Sequence, residues 1–328
     1  MSKKIICLAL SSVLFALSAT AEAQQPTKIP RIGWLTGTSP SANAARREAF
    51  RQGLRELGYV EGKNIVIEWR YAEGKLDRLP ALAAELVRLK IDIIVSAGSI
   101  VTRALKEATS TIPIVMAQDA DPVRSGFVAS LARPGGNITG LSTLAPELSG
   151  KRLELLKETV PKLSRVAVIG TSTQPGYAQR LKEIELAAKA FGVKLQYLDV
   201  VDPKDIEPAF RAATKGRAEA VVWQVSGGIG DAHRTQVVDL AVKNRLPVIY
   251  SERTYVEAGG LMFYGVNILD LDRRAATFVD KILKGRTPAD LPVEQPMKFE
   301  FIINLKAAKQ IGLTIPPNVL VRANKVIR

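Results

Sequence analysis

A chain of 328 residues, 47% of them hydrophobic and 24% charged, has enough material for two ordinary domains with cores of their own. Its net charge is +14, and it carries one cysteine, Cys7, and one histidine, His233, which excludes a disulfide scaffold and a His/Cys zinc cluster. Beyond the N-terminal residues no stretch approaches the ~18 consecutive apolar residues of a membrane-spanning helix.

Lys3 and Lys4 precede an apolar run at 5–17, and Ala21-Glu22-Ala23 supplies an A-x-A cleavage site before Gln24. Basic start, apolar centre and small-residue site come in the order of a secretory signal peptide, expected at 1–23. Cys7 opens the apolar run rather than ending it, so it does not read as a lipid-attachment cysteine. Cleavage removes it and leaves a charge of +13. Export to the periplasm argues against nucleic acid as the reason for that charge, which reads as a solvated basic surface, aided toward the anionic membrane face.

The mature fold opens with a strand at 31–35, a polar turn at 36–43 and a helix at 44–57 closed by Gly58. Ile65, Ile67 and Trp69 alternate with polar partners as a strand, and Leu79, Leu82, Leu86 and Leu89 mark the next helix. Residues 91–126 then form the unit on which the chain is organised. Ile91, Ile93, Ile94 and Val95 read as a buried strand ending in Ser96-Ala97-Gly98. Ser99 starts a helix to Ala108, and 112–116 returns as a strand running into Gln118, Asp119 and Asp121. Parallel strands of an open sheet end on one edge, so Gly98-Ser99 and Gln118-Asp119 are expected to face one crevice. A further strand at 137–143 leads to a crossing linker at 144–150.

The pattern then restarts. A helix carrying Arg152, Leu155, Leu156 and Val160 is followed by a strand at 165–169 like the one at 31–35. A helix at 178–191 ends at Gly192, as the earlier one ends at Gly58, and a strand at 194–200, a helix at 206–213 and a strand at 220–223 follow. Leu246-Pro247-Val248-Ile249 parallels Ile112-Pro113-Ile114-Val115 at a displacement of 134 residues, the same as from Arg31 to Arg165. One offset shared by strands of different rank predicts two similar lobes, not a solenoid. A helix at 271–283, a linker at 292–296, a strand at 299–303 and a short helix capped by Asn304 and stopped by Pro316-Pro317 complete the chain.

Several stretches carry a family resemblance: RIGWLTGTSPSANAARREAFRQGLRELGYVEGKNIVIEWRYAEG, DIIVSAGS, IPIVM with its DADPV loop, and GGNITGLS. They resemble the ABC-transporter substrate-binding family that includes tryptophan- and tyrosine-binding proteins. The Gly-Tyr-x-Glu-Gly-x-Asn turn at 58–64 is the specific piece. The resemblance implies an α/β fold of the type I periplasmic binding protein, with two similar doubly wound, Rossmann-like lobes joined by a three-segment hinge. Lobe I is expected at 28–145 plus about 268–285 and lobe II at 146–267 plus about 291–328, with crossings at 144–150, near 266 and at 285–296. Two loops, 171–177 and 224–230, depart from those of relatives that bind aromatic amino acids. The second lobe is rewired there.

The crevice reading selects candidate ligand contacts. Gly98 and Ser99, at a helix N-terminus, offer amides and a hydroxyl to a carboxylate. Asp119, with Asp121 beside it and Gln118 before it, is acceptor-only and suited to an ammonium group, while Asp121 equally suits an Asx-turn. Thr36 and Ser39 of the first lobe are expected to face Thr171 and Ser172 of the second, and Gln224, in the loop after Trp223, is a further ligand contact. Glu252 is a second cation partner, and Tyr177 and Tyr264 offer an apolar wall. Trp223 lies within its strand and reads as core. The glycines at 227–230 lack the G-x-G-x-x-G spacing of a dinucleotide site, and no nucleophile-base pair presents itself.

These features predict a binding protein rather than an enzyme, with no cofactor and no metal. It is expected to be a periplasmic monomer that closes on a small ligand and presents it to an inner-membrane ABC permease, with no role for nucleic acid. The predicted ligand is an amino acid or related zwitterion, and an aromatic or aliphatic carboxylate is the alternative. A ligand-sensing regulator core of the lac-repressor type is the rival class, disfavoured because a signal peptide stands where a helix-turn-helix is required.

Overall fold

The computed structural model describes residues 28–174, 176–225, 228–296 and 298–328. The expected signal peptide at 1–23 lies outside them, as do Ser226 and Gly227. In the first lobe β1 (Arg31–Thr36), α1 (Ala44–Glu56), β2 (Val66–Tyr71), α2 (Leu79–Arg88), β3 (Ile93–Ala97), α3 (Ser99–Ala108), β4 (Ile114–Asp119) and β5 (Ile138–Ser142) build a parallel sheet of order β2-β1-β3-β4-β5. Every residue of β3 is buried, as a strand covered on both faces requires. Trp34, Phe50, Ile93 and Val115 fill one face of the sheet, and Leu35, Leu86, Ile94 and Leu105 fill the other.

The second lobe follows with α4 (Ala145–Thr159), β6 (Arg165–Gly170), α5 (Tyr177–Phe191), β7 (Lys194–Asp199), α6 (Ile206–Lys215), β8 (Ala220–Trp223), α7 (Gly228–Ala232), α8 (Arg234–Lys243), β9 (Val248–Tyr250), α9 (Arg253–Glu257) and β10 (Met262–Val266). After α10 (Ile268–Leu283) come β11 (Phe299–Asn304), α11 (Leu305–Gln310), α12 (Pro317–Arg322) and β12 (Lys325–Ile327). The sheet order is β12-β11-β10-β9-β8-β6-β7, with β10 and β11 antiparallel and the other pairs parallel. The 134-residue repeat is visible as geometry, since β7-β6-β8-β9 has the order of β2-β1-β3-β4.

The chain passes between the two sheets three times. It leaves β5 for α4, and it leaves β10 for α10, whose Leu271, Ala275, Phe278 and Val279 join the Trp34–Phe50 core. Residues 289–294 then run along the β5 edge, bonded from Ser142 N to Glu294 O (2.9 Å) and from Glu294 N to Gly140 O (2.9 Å), before β11 enters the second sheet. Gly53 lets α10 lie close on α1, because a Cβ there would sit 2.1 Å from Arg273 O.

The expected elements change at three places. Of the expected linker at 144–150, residues 145–150 are the opening turns of α4, with Pro146 early in the helix and Leu148 and Ser149 buried by it. Only Thr143 and Leu144, the latter with φ 54°, lie between β5 and α4. Near 266 the chain completes a full strand, β10, which is not among the expected elements and which holds β11 in the sheet before the chain leaves for α10. Pro317, expected only to bar continuation of the helix before it, opens α12, and β12 follows.

Candidate functional site

The carboxyl ends of both sheets turn toward each other. A methyl group placed on Gly176 Cα would lie 3.8 Å from Ala120 Cβ, so the loops after β4 and β6 meet across the crevice. Strand β4 delivers Asp119 to this edge as its last residue, buried. Neither carboxylate oxygen has a hydrogen bond of good geometry among the described residues. Burial pushes its pKa up to about 7, against the opposing influence of the nearby Ser99 and Thr102 hydroxyls and the Asp121 backbone N–H.

Ser99 opens α3 after Gly98, whose φ of 116° suits glycine. The Ser99 hydroxyl accepts from Ala120 N (3.1 Å) and lies beside Asp119. The start of α3 therefore already faces a carboxylate of the protein itself. Gln118, with its amide oxygen turned to Arg46, accepts from both Nη atoms (2.5 and 2.9 Å), and Arg46 forks onto the buried Asp272 (2.8 and 3.2 Å). Asp121 accepts from Arg124 N (3.1 Å), the Asx-turn role.

Other candidates have local duties. Buried Thr36 bonds Thr38 Oγ1 (3.1 Å), while Ser39 bonds Ser41 Oγ (3.1 Å) and accepts from Ala42 N (3.3 Å). In the second lobe Thr171 donates to Val200 O (2.8 Å), and Ser172 donates to Asp199 Oδ2 (2.5 Å) at the β7 edge. Their hydroxyls are held inside their own lobes. The hydrogen bonds of Thr36, Ser39, Thr171 and Ser172 thus run to neighbours within each lobe.

Tyr177 lies over the end of β6, with Cε2 2.6 Å from where a Gly170 Cβ would be, and burial raises its pKa. Tyr264 stacks on Phe299 (6.2 Å between centroids) and packs against the cores of both lobes. Gln224 follows β8, buried, with both amide atoms lacking partners among the described residues. Trp223 is core, donating to Tyr255 Oη (2.9 Å) and stacked on Phe210. Glu252 precedes α9 and acts electrostatically on Arg152.

Arg152 and Arg180 are absent from the candidates drawn from sequence. Arg152 of α4 is buried and donates its Nε to Tyr264 O (2.8 Å). Arg180 of α5 is buried, with Nη2 on Gln174 Oε1 (3.3 Å) and Nε without a partner among the described residues. Neither makes an ion pair among the described residues. Burial, joined for Arg152 by the neighbouring Arg180 charge, pushes both pKa values down to about 10. The signal in the sequence is register. Arg180 shares the inward stripe of Ile184 and Ala188, and Arg152 that of Leu155 and Leu156.

Two α/β lobes, three crossings and a polar crevice with buried charges on both walls are the architecture of a periplasmic-binding-protein-like receptor. The chain belongs to the family described as ABC transporter substrate binding protein, whose model matches residues 37–327. It is 27% identical over 274 residues to a tyrosine-binding protein of Clostridioides difficile (strain R20291), covering 84% of this chain and 78% of that one. Among solved structures it is similar to the ABC domain of Streptococcus pneumonia in complex with L-Trp (TM-score 0.84, 26% identity, 91% of this chain and 99% of that one). It is equally similar to a conserved domain protein of Vibrio cholerae (TM-score 0.85, 28% identity, 91% and 100%). Membership of this family implies a small-molecule ligand and an ABC permease as partner.

Proposed function

We propose that this protein is the extracytoplasmic, non-catalytic receptor of an ABC importer. It captures a free amino acid with an apolar or aromatic side chain in the interlobe crevice and hands it, as a monomer, to an inner-membrane permease. The observation that carries the reading is Asp119, a buried carboxylate at the crevice edge without a well-made hydrogen bond among the described residues. Such a group is costly unless a cation meets it, and an ammonium group supplies charge and donors together. The bound ligands named for the two relatives, tyrosine and L-Trp, support the same class.

The test is a thermal-shift and calorimetric screen of residues 24–328 against the twenty protein amino acids. A ligand at about 100 times its dissociation constant adds roughly 2.7 kcal/mol to stability. Asp119→Asn is expected to weaken the best amino acid at least tenfold, about 1.4 kcal/mol. One observation favours a second reading: with its pKa near 7, Asp119 is available in neutral form to a simple carboxylate. If amine-free acids bind the wild type tightly and Asp119→Asn binds them as well or better, that reading replaces the first.

A further inference from the structure

The first lobe offers the crevice a carboxylate, and the second offers two guanidinium groups. Arg152 and Arg180 come from helices that pack together, since a Cβ on Gly150 of α4 would lie 3.5 Å from Ala187 Cβ on α5. Both are buried. They donate to neutral oxygens, the Tyr264 carbonyl and the Gln174 amide, and neither makes an ion pair with a carboxylate among the described residues. Gln224, on the same sheet edge, adds a buried amide with no partner among the described residues. Both guanidinium groups are removed from water and repel one another, and Glu252 at the start of α9 offsets that charge on the Arg152 side alone, so an anion received by both would stabilise the pair. Guanidinium forks match a carboxylate in shape as well as charge.

The start of α3 is a poorer place for that anion. The Ser99 hydroxyl is engaged by Ala120 N and lies beside the Asp119 carboxylate, so an anion there meets like charge. We infer that Arg152 and Arg180 of the second lobe together receive the free carboxylate of the bound ligand, which makes an unmodified carboxylate a requirement for recognition. The assignment rests on the amino-acid reading and divides the ligand's ends, ammonium to the first lobe and carboxylate to the second. An amino acid carries both groups on one carbon, so its two ends engage opposite walls only when the crevice is shut. The contact between Ala120 and Gly176 shows walls that meet.

The experiment pairs each of the twenty amino acids with its carboxamide on the wild-type protein of residues 24–328. The best amino acid is then carried to Arg152→Gln and Arg180→Gln. The amide is expected to lose at least a hundredfold in affinity. Each glutamine variant is expected to lose at least tenfold for the acid, with a ligand-free melting temperature equal to or above that of wild type, because a buried unpaired charge has gone. An amide that binds as well as its acid overturns the inference, and that comparison needs no variant to fold. An amide that fails while both variants bind the acid within threefold places the carboxylate elsewhere and also overturns it. If no amino acid binds the wild type, the amino-acid reading itself falls, and this inference with it.

Discussion

Asp119 links stability to pH in a direction opposite to that of a salt-bridged carboxylate. Its pKa is about 7 in the fold, against an unfolded value near 3.9. Between those values the native state holds the extra proton, so stability falls as pH rises through roughly 4 to 7 and stays low above it. The shift corresponds to about 4 kcal/mol at pH 8. Asp119→Asn should therefore unfold at higher urea than wild type at pH 8 without ligand, with the advantage gone below about pH 4. Amino-acid binding by the wild type should strengthen as pH rises through 7, because an ammonium ligand needs the ionised form. A group proposed to meet the ligand, and destabilising without it, is a familiar trade. At this scale the sequence was partly legible. Asp119 follows from its place at the end of an apolar strand, and Trp223 reads as core. Arg152 and Arg180 were passed over although they stand in the apolar register of their helices. Which hydroxyls are already bonded, as at Thr171 and Ser172, depends on neighbours distant in the chain and left no mark on the local pattern.

Among elements, α1 and α10 lie close together at Gly53. Alanine is favoured over glycine in a helix by about 1 kcal/mol. Here that gain is outweighed, because the new Cβ would stand 2.1 Å from Arg273 O and 2.9 Å from Ala276 Cβ. Gly53→Ala should cost a net 1–3 kcal/mol in chemical denaturation, the usual size of an overpacking strain. Strands with unbroken apolar runs, such as β3 and β8, were readable from composition alone. The start of α4 was not. The stretch LAPELSG carries a proline and a glycine, the usual marks of a connection, and its helical state is set by burial of Leu148 and Ser149. Strand β10 went unassigned because its partner β11 lies beyond an intervening helix of the other lobe. Pairings over such separations are not encoded in local periodicity.

For the whole molecule, the offset of 134 residues made the two lobes visible before any coordinate, because duplicated strand order needs duplicated spacing. Closing is a property at the same scale. Ala120 is partly exposed and faces Gly176, so a bulky side chain at this position should hold the lobes apart without entering either core. Ala120→Trp is expected to weaken the best ligand at least tenfold by calorimetry, while the melting temperature without ligand stays within about 2 °C of wild type. A variant that binds normally would show that shutting the crevice contributes little to affinity.

The three crossings also set an order of assembly. The face of α10 that completes the first core is made only after the whole second α/β run has left the ribosome, and the second sheet waits for β11 and β12 at the end of the chain. Neither half can finish early, so the usual rule that N-terminal domains fold first as the chain emerges gives way to joint, late completion. For a chain with the export leader expected from its sequence, that delay would be useful: a polypeptide slow to complete its fold would stay threadable for longer, and folding would be deferred to the far side of the membrane.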